Sequence, residues 1–168
     1  MLLQSKLIKL ILLVLLTNNA YSKDIIATQS GGKAVHWTSE NSPHLTINVI
    51  NGVKEGYWAS LGNIFPQVLT FALPKNKRFE AVSFTAKNKG NQDSWAHHIR
   101  ISSADPFPHM GGWEVIAEIR LPPNGEEKFI VLEGKRGRYF RLEIFSSQDK
   151  SSSNVTFGKF KVFDVYKQ

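Results

Sequence analysis

Trp113-Glu114-Val115-Ile116-Ala117-Glu118-Ile119-Arg120-Leu121 is the stretch that decides the fold. Read with a period of two, it places Trp113, Val115, Ala117, Ile119 and Leu121 on one face. Glu114, Ile116, Glu118 and Arg120 fall on the other. That alternation is the mark of a half-buried β-strand, and Trp113 at its head is expected in the core. Pro122-Pro123-Asn124-Gly125 then forces a turn.

The same grammar repeats in both directions. Downstream, Lys128 to Leu132 is apolar, Gly134 to Gly137 turns, and Arg138 to Phe145 directs Phe140, Leu142 and Ile144 inward. Ser146 to Asn154 is a polar loop, and Val155 to Tyr166 has a long strand pattern. Upstream, Asp105 to Gly112 is a connection with two prolines and two glycines, preceded by a short strand carrying Ile99 and Ile101. Lys87 to Ser94 is polar, while Phe79 to Ala86 sets Val82, Phe84 and Ala86 to one side. Pro74 to Lys77 reads as a turn after Gln67 to Leu73, whose Leu69, Phe71 and Leu73 share a face. Asp24 to Thr28 and Lys33 to Ser39 read as short strands flanking Gly31-Gly32. No segment has sustained helical periodicity. About eight strands separated by Gly/Pro turns specify an all-β fold, an antiparallel β-sandwich of the jelly-roll kind.

The 168 residues allow one domain. Residues 1–22 read as a signal peptide: Lys6 and Lys9 precede the apolar run Leu10 to Leu16, and Ala20 and Ser22 supply a small-residue cleavage site. The apolar run is too short to span a bilayer, which takes about 20 residues. The domain is therefore expected over 23–168, exported to a periplasm or secreted. The chain has no cysteine, so no disulfide supports it. An exported chain without cysteine fits a bacterial source. Its 42% hydrophobic content can build an unassisted core. Removing Lys6 and Lys9 leaves 19 basic residues against 14 acidic, about +5, which favours anionic surfaces. Nucleic acid is not an expected partner of an exported chain.

Catalytic patterns are absent. No Gly-x-Ser-x-Gly elbow and no His-Glu-x-x-His occurs. Glu114 and Glu118, four residues apart on one strand face, suit cross-strand pairs better than a hydrolytic carboxylate couple. The adjacent His97 and His98 point to opposite strand faces, so they do not form one metal site. Contact with a ligand is the better use for His97 or for His109. Trp95 follows Asn91-Gln92-Asp93-Ser94 in a polar loop. An indole that stacks on sugar C–H groups, with Asn91, Asp93 and His97 reading hydroxyls, is a saccharide-binding composition. Packing of Trp95 back over the end of the fold is the competing use. Trp58 is expected to pack, and Trp37, in a strand-like run, is ambiguous.

Asn48-Val49-Ile50-Asn51-Gly52, followed by Tyr57-Trp58-Ala59-Ser60, resembles the early loop of the discoidin, or coagulation factor 5/8 type C, family. Gln67 to Leu73 resembles that family's next strand. Ile99 to Ser103 with Trp113 to Ile116, Arg138-Tyr139-Phe140-Arg141-Leu142, and Phe157 to Phe163 resemble later ones. Together they cover about residues 27 to 165, and imply a galactose-binding-domain-like jelly roll in which Asn51, Gly52, Tyr57 and Trp58 form a structural loop.

The resemblance implies a non-catalytic binding module that recognises carbohydrate or a cell-surface glycan through loops at one end of the barrel. By loop position it adds His44 and Asn63 to Asn91, Asp93, Trp95, His97 and His109 as candidate ligand contacts. A structural or adaptor subunit that docks another exported protein, or an anionic membrane surface, is the alternative. Many glycan-binding relatives hold calcium near this early loop, a cation that needs six to eight oxygens. Here Asn51 and Val53 stand where acids are common, Lys159 and Lys161 occupy the final strand, and Glu55 is the remaining nearby carboxylate. No cofactor is therefore expected, and a lysine ammonium in the cation's place is the expectation.

Overall fold

A computed structural model describes residues 23–108 and 112–165. The expected signal peptide and His109 lie outside the described residues. The described residues form eight strands: β1 (Lys33–Trp37), β2 (Trp58–Ala59), β3 (Gln67–Thr85), β4 (Ala96–Ala104), β5 (Glu114–Arg120), β6 (Lys128–Ser147), β7 (Thr156–Phe157) and β8 (Lys159–Phe163). The helical elements among the described residues are three short 3₁₀ turns, at Thr28–Ser30, Thr46–Val49 and Gln92–Ser94.

All strand pairs are antiparallel. The main sheet runs β1-β3-β6-β4-β5, with β8 added to β3, and β2 and β7 form a separate pair. Pro74 to Lys77 and Gly134 to Gly137, expected as turns between strands, instead lie within β3 and β6. The two strands stay paired beyond this point, Ala72 opposite Tyr139 and then Lys77 opposite Gly137. Proline and glycine here break the register where the paired strands change partners, and the chain does not reverse. β1 pairs with the first half of β3, and β8 with the second.

Leu69, Phe71, Leu73, Phe140, Leu142 and Ile144 enter the core as their alternation requires. Phe160 lies at its centre, 5.5 Å from the ring of Phe84 and 5.9 Å from those of Phe71 and Phe140.

Four further expectations need correction. Asp24 to Thr28 makes only an isolated bridge, Asp24 with Phe163, and Thr28 already begins the 3₁₀ turn Thr28–Ser30. The closing strand is broken at Gly158, whose position leaves no room for a side chain: a Cβ would sit 2.3 Å from the Lys87 carbonyl oxygen. In β5 a bulge at Ile116 disrupts the alternation, since Ile101 faces Ala117 while Ser102 already faces Val115. Val115 is consequently 54% exposed. Trp113 is not in the core. Its ring is met edge-on by Phe107, and the Arg141 guanidinium lies 4.8 Å from its centroid.

Candidate functional site

The loops that precede β3, β4 and β7 meet at one end of the barrel. Their backbones are tied together: Gln148 N donates to Trp95 O at 2.8 Å, Asp149 N to Asp93 O at 2.9 Å, and Ser60 N to Val155 O at 2.9 Å. Asn91 caps the 3₁₀ turn Gln92–Ser94 by accepting from Asp93 N. Asp149 Oδ1 accepts from the Ser151 amide at 2.7 Å and its hydroxyl at 2.8 Å, which holds the Asp149 carboxyl below its usual pKa. Asn63 Nδ2 donates to Ser152 O at 2.9 Å, joining the loop before β3 to this cluster.

The result is a groove lined by Asn91, Asp93 and Ser94 on one side and Asp149 and residues 151–154 on the other. It presents two carboxylates, amides and hydroxyls, a surface suited to the hydroxyls or ammonium groups of a small polar ligand. Leu61 and Ile64, 72% and 79% exposed, project beside Asn63 from the same loop.

The candidate contacts therefore divide. Asn63, Asn91 and Asp93 come together. Trp95 does not serve as an open platform: it is 7% exposed and belongs to the core cluster. The loop is polar because it covers the barrel end, with the indole beneath it. His97 is half-buried at a register shift of β4 and is not among the groove's lining residues. Burial, then the charges of Arg120 and His98, push its pKa down. His44 is engaged elsewhere, stacked on Tyr57 at 3.9 Å with Tyr57 Oη and His44 Nε2 2.9 Å apart. Asp149 and the serines beside it escaped sequence reasoning, because a Ser-rich run carries no motif. The loop's nearness to Asp93 comes from the pairing of Ala96 with Ser147.

The early loop is organised without a carboxylate. Asn48 Nδ2 donates to the carbonyls of Pro43 and Tyr57, and Asn51 Oδ1 accepts from Val53 N. Lys159 Nζ donates to Asn48 O at 2.6 Å and lies 3.4 Å from Asn51 Oδ1. Burial, then the nearby Lys161 charge, lower its pKa to about 8. Glu55 is turned outward in an ion pair with Lys89. These residues do not fit calcium: the oxygens that would face the ion already face an ammonium, and the nearby carboxylate is engaged elsewhere. Among the described residues no three of His, Cys, Asp and Glu gather as a metal site.

No protein-family model matches the chain, and no curated protein sequence matches it. Solved structures do share its fold. The family 32 carbohydrate-binding module of Clostridium perfringens NanJ, solved with galactose, is 17% identical. It aligns over 80% of this chain and 95% of its own with a TM-score of 0.67. A C. perfringens family 32 module solved with GalNAc-β-1,3-galactose is 15% identical, covering 80% and 96% with a TM-score of 0.65. Chitosan-binding module 1 of a Paenibacillus sp. IK-5 chitosanase/glucanase is 14% identical, covering 79% and 92% with a TM-score of 0.64. The chain thus has the antiparallel jelly-roll β-sandwich fold of these modules.

Proposed function

We propose that this protein is an exported, non-catalytic carbohydrate-binding module that takes its ligand in the loop-end groove. The observation that carries this reading is the convergence of Asn91, Asp93, Asp149 and the serines of 151–153 at one end of the fold. The neighbours in structure, which bind galactose, a GalNAc-galactose disaccharide and chitosan, support a saccharide as the ligand class. Carboxylates and amides accept from and donate to sugar hydroxyls, and Asp93 and Asp149 would additionally hold the ammonium of an amino sugar. Leu61 and Ile64 supply the apolar edge that the buried Trp95 does not. Residues 1–22 direct export, and binding needs no calcium, because Lys159 occupies the cation's role.

A glycan array probed with the purified protein tests this. Binding to galactose-configured or amino-sugar glycans is expected, unchanged by EDTA and lost in the double variant Asp93→Ala/Asp149→Ala. Two exposed apolar residues at the same end favour a second reading, an adaptor that docks another exported protein. A blank array with a stable complex abolished by Leu61→Ser/Ile64→Ser would establish that reading instead.

A further inference from the structure

A second pocket, which shares no lining residue with the groove, lies against the edge strand β1. It is lined by Lys33, Ala34, Trp37, Glu40, Leu45, Thr46 and Ile47, and its wall is largely apolar. Trp37 is 41% exposed, whereas Trp58 and Trp95 are buried. Its backbone is fixed by the pairing with Leu69 and by Thr38, whose amide donates to Val68 O and whose hydroxyl accepts from Val68 N. The opposite wall is fixed too: Glu40 Oε2 accepts from Thr46 N at 2.8 Å, tying the loop carrying Leu45 to the end of the strand. Thr46 is fully buried, yet its hydroxyl has no hydrogen-bond partner within the protein. With no surface of its own exposed, Thr46 backs the wall, and the accessible apolar surface of the pocket is that of Trp37 and Leu45 with Ala34 beside them.

We infer that this pocket is a second saccharide site, independent of the loop-end groove, that takes a hexopyranose ring with all-equatorial substituents. An indole wall beside Leu45 and Ala34 calls for a ring whose face is C–H, with polar groups confined to its rim. An all-equatorial hexopyranose has such faces, and an axial hydroxyl would interrupt one. At the rim, Lys33 donates and Glu40 accepts, a balanced pair that suits a neutral polyhydroxylated ligand over an acidic segment or an anionic membrane. A β-1,4-linked glucan provides such rings in series.

The test is titration of the purified protein with cellohexaose, followed by tryptophan fluorescence and calorimetry. Saturable binding with a change in tryptophan emission is expected. Trp37→Ala should abolish the emission change and weaken binding by about tenfold or more, the scale of one lost stacking contact. Leu45→Glu, at an exposed position, should also weaken binding, guarding against a folding defect in the first variant. Asp93→Ala/Asp149→Ala should leave this response intact, which separates the pocket from the groove. No binding of cellohexaose, or wild-type affinity in Trp37→Ala, overturns the proposal. So does a concentration-dependent dimer that Trp37→Ala dissolves without any sugar response, since the exposed edge would then serve self-association.

Discussion

Lys159 ties the last strand to the early loop through a single ammonium. Its ammonium reaches the Asn48 carbonyl from the last strand and draws the early loop onto the barrel. Tm is therefore expected to be the same in millimolar CaCl2 and in EDTA, and to fall in Lys159→Met, which leaves the Asn48 carbonyl without its donor. Calcium-dependent stabilisation of several degrees would contradict this. Because the Lys159 pKa falls from 10.5 in its ordinary state to about 8 in the fold, the unfolded chain binds more protons between those values. Stability from this group consequently rises with pH across that window. Comparing denaturation of the wild type and Lys159→Met from pH 7 to 10.5 isolates the rise, which the variant should lack. Trp95 carries a second expectation at this scale. As a buried indole it should cost about 3–5 kcal/mol when cut to alanine, as read by urea denaturation. A Trp95→Ala variant that binds poorly would report the lost fold before any lost contact.

Among the elements, strand β8 is the most instructive. Gly158 brings the chain within reach of the Thr85 and Lys87 carbonyls, and its amide donates to Thr85 O at 3.1 Å. Gly158→Ala should cost about 1–3 kcal/mol of stability through overpacking against backbone. An unchanged denaturation midpoint would contradict that close approach. The alternation of Gln67 to Leu73 and of Arg138 to Phe145 was legible because each segment buries one face. It misled in β5, where the bulge at Ile116 redirects Val115 and leaves Trp113 against Arg141. A bulge adds one residue without changing composition, so no sequence pattern announces it. Pro74 and Gly134 misled for a related reason, since a break within two continuous strands uses the same residues as a reversal. The tryptophans were hard to sort because accessibility is set by what covers a ring. Trp95 follows polar residues yet lies under them, while Trp37, in an apolar-looking strand, sits on an edge.

For the whole molecule, one fold carries two chemically distinct surfaces. The loop-end groove is polar, with carboxylates and amides. The pocket at Trp37 is apolar with a balanced rim. The half of the groove contributed by Asn91 and Asp93 was legible, since amides and acids in a loop are visible in sequence. The half contributed by Asp149 and the serines after it was not, because it depends on which loops the sheet brings together. Nitrogen-15 correlation spectra recorded while a galactose-configured or glucosamine oligosaccharide is added test the central claim most directly. Shifts confined to 61–64, 91–94 and 149–154, and absent in Asp93→Ala/Asp149→Ala, are the predicted result. Saturation with both sugars without any shift at those residues would contradict carbohydrate binding at the loop end.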